Sequence, residues 1–233
     1  MRFWVLCLLG LGLFRPADAG ATVPVPVGFP QTSAVVYDVW REGAKIGTYS
    51  VDFLRDGDKL TVHTRMSVDV SVLFISFYHF DHDAVEDWIG GKLVRYASKT
   101  DDNGAERDVL LTRDGDRLSG RYNAQPVTLP ADIIPCSFWN PAMVDQTELL
   151  EPTKGQAKAV TVFDRGLERV KDGSRMVLAR HYSITGDLPR ELWYGGDGIV
   201  VQAFYKAQDE SLLTFRLHSV VPASPGLSLT ASK

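Results

Sequence analysis

Residues 48–70 read TYSVDFLRDGDKLTVHTRMSVDV, and apolar and polar side chains alternate along most of this stretch. Tyr49, Val51 and Phe53 form an apolar register before the turn sequence Asp56-Gly57, and the alternation resumes after that turn. A period of two is typical of strands that bury one face and expose the other. Asp-Gly between two such runs predicts a hairpin. The stretch therefore predicts antiparallel β-structure.

The same pattern recurs along the chain. Residues 176–184, 199–206 and 212–219 have strand-like alternation, and the turn sequence at 55–60 is closely repeated at 113–118. Strands separated by turn sequences at such intervals are typical of an all-β sandwich or barrel.

Three tryptophans are each followed three residues later by a glycine: Trp40, Trp88 and Trp193. This spacing is typical of a strand that ends in a tight turn, with the ring anchoring its last residues. It favours repeated hairpins over the alternative, a repeated aromatic binding ledge. We therefore expect an all-β, mainly antiparallel domain built as a single highly curved sheet or half-open barrel of about 10–12 strands.

One long segment, residues 126–152, breaks the alternation and is rich in proline. Asn140 and Pro141 suit the N-cap and the first position of a helix. The sequence thus predicts a short helix near 141–149 that covers one end or the open face of the sheet. The apolar residues 133–140 either complete the core as a plug, which is favoured, or close a cavity as a lid.

The amino-terminal residues have the pattern of an export signal. Arg2 precedes an apolar run over residues 3–14, and Ala17-Asp18-Ala19 offers small residues for cleavage after Ala19. The run is too short to span a bilayer as a helix, which takes about 20 residues. A cleaved signal peptide at 1–19 is therefore favoured over a retained helix, and we expect a periplasmic protein.

Composition separates the predicted domain from its ends and limits its partners. Residues 20–33 are predicted to be a flexible proline-rich leader, residues 34–221 a single β domain, and residues 222–233 a disordered tail. Beyond the signal, no segment approaches the roughly 18 apolar residues of a membrane-spanning helix, so an integral membrane protein is not expected. The net charge of −4 and the lack of Lys/Arg runs argue against nucleic acid as a partner.

Cys136 is the one cysteine that remains after removal of the predicted signal peptide. A single thiol forms no internal disulfide, and in an oxidising compartment it is either buried or reactive. Its apolar sequence neighbours favour burial. The sequence also lacks a Gly-x-Ser-x-Gly elbow, a phosphate-binding loop and a His-Glu-x-x-His motif. We therefore assign no catalytic residue and expect no cofactor, and an enzyme is the least favoured class.

Residues 79–87, HFDHDAVED, contain the densest cluster of potential metal ligands. On a strand, His79 and His82 point to opposite faces because their spacing is odd. His82 and Glu86 share a face but lie about 13 Å apart along it. A solvated strand with cross-strand salt bridges is therefore favoured over a metal site, and no metal ligand is assigned.

Residues 72–78, VLFISFY, are apolar on both faces of their predicted strand. Either protein covers both faces, or one face lines a cavity for an apolar ligand. The candidate ligand-binding residues are aromatic: Phe74, Phe77, Tyr78, Trp88, Phe138 and Trp139. The favoured function is a non-enzymatic binder or carrier of an apolar or amphipathic, lipid-like ligand in a concave sheet. The alternative is an envelope protein–protein interaction module without a small ligand.

Several blocks of the sequence carry a family resemblance: Tyr37–Gly43 with Ile46-Gly47, Thr100–Gly104, Pro130–Pro135 with Phe138–Pro141, and Thr185–Leu188 leading to Leu192–Tyr194. In this order, they resemble an uncharacterised family of exported bacterial proteins, catalogued only as a domain of unknown function. The likeness covers about residues 35–221 and implies a curved antiparallel sheet, similar to the half-barrel carriers of lipoproteins. It implies no activity. Cys136 departs from the family pattern, in which a small hydroxyl residue is expected before Ser137.

Overall fold

The computed structural model describes residues 29–72, 75–207 and 209–223. The predicted signal peptide, residues 20–28 of the predicted leader and residues 224–233 of the predicted tail lie outside the described residues, and so does Phe74. Among the described residues, no helix has the length and apolar character needed to cross a membrane.

The described chain forms fifteen strands of one sheet and a short 3-10 helix. The strands are β1 Thr32–Arg41, β2 Ala44–Asp56, β3 Lys59–Val72, β4 Ile75–Ile89, β5 Lys92–Asp102, β6 Ala105–Asp114, β7 Arg117–Tyr122, β8 Gln125–Pro130, β9 Ile134–Pro135, β10 Glu148–Glu151, β11 Gln156–Asp172, β12 Arg175–Gly186, β13 Arg190–Tyr194, β14 Val200–Lys206 and β15 Leu212–Pro222. The 3-10 helix, Pro141–Asp145, lies between β9 and β10.

Nearly every strand pairs antiparallel with its neighbour in sequence, and β1 also pairs antiparallel with β15. The order runs from β8 through β1 to β15 and on to β9, so the two ends of the sheet are strands adjacent in sequence. The all-β, mainly antiparallel prediction is confirmed. The strands outnumber the predicted 10–12 because β7 to β10 are short, with 2 to 6 residues each, and carry little alternation.

The turns follow the glycine signals of the sequence. The hairpin predicted at Asp56-Gly57 is present, because β2 ends at Asp56, β3 begins at Lys59, and Gly57 has a φ of 59°. The three Trp-x-x-Gly tryptophans do not share a face, because alternation places Trp88 with the inner core and Trp40 and Trp193 on the outer side. They therefore form no common aromatic ledge.

The core lies on the inner face of the curved sheet and includes residues 133–140. All eight of these residues are buried. The Phe138 ring centroid lies 5.5 Å from that of Tyr49, and the Trp139 ring centroid lies 5.6 Å from that of Trp88. Residues 133–140, called the plug below, thus complete the core, as the sequence favoured.

The helix predicted near 141–149 is shorter than expected. The Asn140 side chain accepts a hydrogen bond from the Ala142 N–H at 3.1 Å, which is the predicted cap, but the helix is of the 3-10 type and ends at Asp145. The remaining residues form β10, whose Leu149 pairs with Lys158 of β11 and with Ile134 of β9. Two-sided strand pairing outweighs helix propensity in this segment because it buries Leu149 completely.

The described fold begins before residue 34. Strand β1 starts at Thr32, and the Phe29 ring lies 5.4 Å from Trp88 and 5.2 Å from Trp139. Residues 29–33, which were predicted to belong to the flexible leader, therefore pack against the core at the plug.

Candidate functional site

Glu86 places a carboxylate inside the core. On β4, alternation directs Ala84, Glu86 and Trp88 to the inner face, and Glu86 is only 1% exposed. Its carboxylate accepts hydrogen bonds from Ser137 Oγ at 2.9 Å and from the indole nitrogens of Trp139 and Trp88 at 3.1 Å and 3.0 Å. Burial raises the pKa of Glu86 to about 7, and the three donors act against this rise.

These hydrogen bonds join the plug to the wall of the sheet. Ser137 and Trp139 belong to the plug, whereas Glu86 and Trp88 belong to β4. A buried carboxylate is tolerated when donors satisfy its oxygens. Glu86 therefore fixes the position of the plug, and the plug closes one side of the cavity described next.

A cavity of about 200 Å³ lies beside Glu86, between the plug and the inner face of the sheet. Apolar and aromatic side chains form much of its wall: Tyr49, Met66, Phe80, Phe138, Tyr205 and Phe215. Polar and titratable groups reach the same cavity: Thr64, His82, Glu86, Cys136, Ser137, Glu151, Thr153 and Arg190. An apolar wall with a few converging polar groups is the usual composition of a small-molecule site.

Arg190 is the positively charged residue in the wall of this cavity. Its guanidinium carbon lies 5.8 Å from the ring centroid of Phe138 and 5.7 Å from that of Tyr205. Its Nε donates a hydrogen bond to the Leu188 carbonyl at 3.2 Å. Among the described residues, no carboxylate forms an ion pair with Arg190, and its terminal nitrogens donate no hydrogen bond.

His82 and Thr64 contribute neutral polar groups. His82 is buried, and its Nδ1 lies 2.8 Å from Thr100 Oγ1. Burial lowers the pKa of His82 to about 4, so the ring is neutral at pH 7. The Thr64 hydroxyl lies beside the Tyr49 hydroxyl, where it opposes the larger rise in the Tyr49 pKa that burial causes. The Thr64 oxygen is itself buried.

Cys136 is buried in the cavity wall as a free thiol, 5% exposed. Burial raises the pKa of the thiol, and the nearby Arg190 acts against this rise. The thiolate is the nucleophilic form of cysteine, so a raised pKa keeps the thiol unreactive at neutral pH. Cys136 is therefore a small apolar component of the wall.

Glu151 uses its carboxylate to hold the turn that ends β10. Its Oε1 accepts hydrogen bonds from Thr153 N at 3.0 Å and Thr153 Oγ1 at 2.7 Å, and its Oε2 accepts one from Lys154 N at 2.7 Å. The next residue of this turn, Pro152, accepts a hydrogen bond from the Tyr96 hydroxyl of β5 at 2.8 Å. Both oxygens of Glu151 are thus engaged within the protein.

The structure separates the ligand-binding residues proposed from sequence. Phe138 lines the cavity. Trp88 and Trp139 are buried in the core and bind Glu86, so they support the cavity from behind. Tyr78 donates a hydrogen bond to Asp102 at 2.8 Å, and Phe77 is 62% exposed. Phe74 lies outside the described residues.

The histidines of residues 79–87 face opposite sides of β4, as their spacing predicts. His82 is inside, whereas His79 is half-exposed and lies 2.8 Å from both Asp69 and Asp81. No group of three metal-ligating side chains occurs in the part of the chain that the structure describes. Sequence reasoning missed Glu86 and Arg190 as site residues. The available signal for Glu86 was an acidic residue in the apolar register that ends at Trp88.

A second cluster packs on the outer face of β11 to β14. The His181 ring stacks on Trp193 with 4.1 Å between centroids, and its nitrogens lie 2.8 Å from Glu168 and 2.6 Å from Glu191. The Trp193 indole also donates to Glu168 at 2.8 Å. The polar atoms of this cluster are therefore engaged with one another, and we assign it a structural role.

A larger but open depression, about 930 Å³, lies along β2 to β6. Its lining is mainly polar and charged, and its charges are of both signs. Arg65 lies 3.1 Å from Asp52, and Arg107 lies 2.8 Å from Asp102. Because these cations already have carboxylate partners and the surface lacks an apolar wall, the smaller interior cavity is the stronger candidate site.

Comparisons with known proteins identify a family and a fold. The sequence model of a family described as "Domain of unknown function (DUF6134)" matches residues 37–218. A solved structure, the β-barrel-like protein of domain of unknown function DUF1849 from Brucella abortus, is similar with a TM-score of 0.60 and 13% sequence identity. The match covers 84% of this chain and 100% of that one, and it shows the fold alone. No curated protein matches the sequence.

Proposed function

The chain belongs to the DUF6134 family of domains of unknown function, and we propose that it binds a small amphipathic molecule in the cavity between the sheet and the plug. One observation carries the proposal: the cavity has an aromatic wall and also the Arg190 guanidinium, whose terminal nitrogens donate no hydrogen bond to a described residue. The aromatic wall would contact the apolar part of a ligand, and the guanidinium would donate hydrogen bonds to its polar end.

The size of the cavity limits the ligand. Pockets for drug-sized molecules measure about 300–1,000 Å³, whereas a dry cavity of about 150 Å³ holds benzene. The 200 Å³ cavity therefore suits a molecule somewhat larger than benzene, or one end of a longer chain. Among the lipid-like ligands expected from the sequence, we therefore propose those of this size.

We propose binding without catalysis because the Cys136 thiol in the cavity wall is not activated. The raised pKa of the Cys136 thiol keeps it protonated. The Ser137 hydroxyl donates a hydrogen bond to the Glu86 carboxylate, and the His82 ring is hydrogen-bonded to the Thr100 hydroxyl.

The test is saturable binding that depends on the cavity volume. Protein NMR would follow the titration of small probes such as 1-hexanol and indole into the folded chain. Ala84→Leu directs a larger side chain into the cavity and should abolish binding. Asp83→Leu adds the same side chain on the exposed face of the same strand and should leave binding unchanged. Thermal denaturation would establish that both variants are folded.

Two results would refute the proposal: an absence of saturable shifts with every probe, or equal affinity in folded Ala84→Leu and the wild-type protein. Shifts of residues around Thr64 and Phe138 would place the probe in the cavity. Shifts confined to the open depression on β2 to β6 would also count against it.

We further propose that the protein acts in the periplasm after removal of residues 1–19. The motif Ala17-Asp18-Ala19 and the preceding apolar run support this location. Amino-terminal sequencing of the protein from cell fractions should find Gly20 as the first residue in a periplasmic fraction. An intact Met1 in the cytoplasmic fraction would contradict it.

A second candidate function is docking to another envelope protein. It is favoured by exposed apolar side chains on the long strands, with Phe77 62% and Met176 56% exposed. Contiguous exposed apolar patches mark interaction surfaces, and these two side chains are the candidates to test. Replacement by Phe77→Ser and Met176→Ser should then reduce crosslinking to one defined partner in native cells while small-probe binding stays unchanged.

A further inference from the structure

The charges around the interior cavity are unevenly matched. His82 is neutral at pH 7, and three other titratable groups line the cavity: Glu86, Glu151 and Arg190. Both carboxylates are hydrogen-bonded to neutral donors of the protein, Glu86 to Ser137 and two tryptophans, and Glu151 to its own turn. Neither forms an ion pair with Arg190 in the described structure. The carboxylate oxygens are thus satisfied within the protein, whereas the terminal nitrogens of Arg190 donate no hydrogen bond to a described residue.

The surroundings of Arg190 restrict what can pair with it. Its guanidinium lies over the Phe138 and Tyr205 rings, at 5.8 Å and 5.7 Å. Only the Nε donor is used, on the Leu188 carbonyl. The remaining donors form a planar fork that matches the two oxygens of a carboxylate. The aromatic rings on which it lies also form part of the cavity wall, so a bound acid would have its apolar part beside them.

We propose that the cavity binds a monocarboxylate with a short apolar body, and that Arg190 holds its carboxylate. This inference rests on the proposed binding function and specifies the ligand class. The apolar body would contact Phe138, Tyr205 and Phe215. A second negative charge on the ligand would meet Glu86 and Glu151 without a second cation, so a dicarboxylate is disfavoured.

Three probes of equal chain length separate these features: hexanoate, 1-hexanol and adipate. Isothermal titration of the folded chain should give at least tenfold tighter binding of hexanoate than of the other two. Arg190→Gln should remove the preference of hexanoate over 1-hexanol while 1-hexanol still binds. Arg190→Lys keeps a charge without the planar fork and should lose part of the preference.

Arg216 provides a matched control. Its guanidinium carbon also lies over an aromatic ring, 5.0 Å from the centroid of Trp40, but Arg216 is not in the cavity wall. Arg216→Gln should retain the full preference for hexanoate. Thermal denaturation would confirm that each variant is folded, and Arg190→Lys serves if Arg190→Gln is not.

The outcomes distinguish this inference from the function on which it rests. Equal binding of hexanoate and 1-hexanol to the wild-type protein would overturn the carboxylate assignment and leave cavity binding intact. Hexanoate selectivity that survives Arg190→Gln, or is lost equally in Arg216→Gln, would overturn the role of Arg190. If no probe binds, both the inference and the proposed function fall.

Discussion

Glu86 is a carboxylate in a strand register that also directs His82, Ala84 and Trp88 toward the core. Its three donors are neutral, so they satisfy hydrogen bonding without neutralising the charge. The cost of burial therefore appears in its pKa, which rises from the ordinary value of 4.5 to about 7. At neutral pH this residue is close to its own titration point, and the stability of the plug depends on its protonation.

The Glu86 pKa predicts a pH dependence of stability. Because the folded pKa is raised, the folded state binds the proton more tightly than the unfolded state. The stability that Glu86 contributes is full below pH 4.5 and is lost as the pH rises through about 7. The loss amounts to about 3 kcal/mol. Urea denaturation at intervals from pH 4 to 9 should show this fall in the free energy of unfolding, and Glu86→Gln should remove it.

Exposed Glu148 offers the control for this comparison, since Glu148→Gln should keep the wild-type pH profile. The difference between two profiles cancels the titration of the other groups. An unchanged profile in Glu86→Gln would show that the carboxylate is not responsible.

The plug is the element that forms one side of the cavity on the inner face of the curved sheet. Phe138 contacts Tyr49 and Phe215, with ring centroids 5.5 Å and 5.1 Å apart, and also lines the cavity. Phe138→Ala should lower the free energy of unfolding by about 3–5 kcal/mol, because it removes packing and enlarges the void. Chemical denaturation would measure the change. Phe77→Ala, at an exposed aromatic, should change it by about 0.5 kcal/mol or less.

Equal effects of the two alanine variants on the free energy of unfolding would contradict this role of the plug. It would also be contradicted if Phe138→Ala left the affinity for small probes exactly as in the wild-type protein, because the wall would then not include this ring.

The pairing of β2 with β3 depends on Gly47, a glycine that lies within strand β2 and not in a turn. A Cβ on Gly47 would lie 2.1 Å from the Ser67 carbonyl oxygen across the strands, closer than any real contact. Gly47→Ala should therefore force the strands apart and lower the free energy of unfolding by about 1–3 kcal/mol. Ser50→Ala on the same strand serves as the reference variant. Equal denaturation midpoints of the two variants would show that the close approach does not constrain the sheet.

The sequence predicts those elements that depend on neighbouring residues better than those that depend on pairing with distant strands. The alternation in residues 48–70 predicts β2 and β3 because side-chain direction along a strand is a local property. Residues 146–149 were predicted as helix from a local cap, but the nonlocal pairing of Leu149 with β9 and β11 makes 148–151 a strand. Arg190 had no local signal, since its position over Phe138 comes from the packing of the plug against the inner face of the sheet.

On the scale of the whole molecule, the pairing of β1 with β15 joins the two ends of the described chain. Thr32 is paired with Pro222, and Ser33 Oγ donates to the Pro222 carbonyl at 2.9 Å. The first and last strands, β1 and β15, therefore lie side by side in the middle of the sheet, and β8 and β9 are its two edge strands. Phe215 of β15 lines the cavity, so the shape of the cavity depends on a terminal strand as well as on the plug.

This arrangement predicts that residues 29–33 are needed for full stability, although their composition is that of a leader. Phe29 packs on Trp88 and Trp139, and Arg55 donates to the Thr32 carbonyl at 2.8 Å and to the Pro30 carbonyl. The free energy of unfolding of a chain that begins at residue 34 should therefore be lower by at least about 2 kcal/mol than that of a chain that begins at residue 29. Phe29→Ala in the longer chain should reproduce part of the loss, which isolates the ring from the backbone contacts. Urea denaturation followed by tryptophan fluorescence would measure all three. Equal stability of the two chain lengths would mean that the fold closes without these residues, and the sheet would then start at residue 34, as composition suggests.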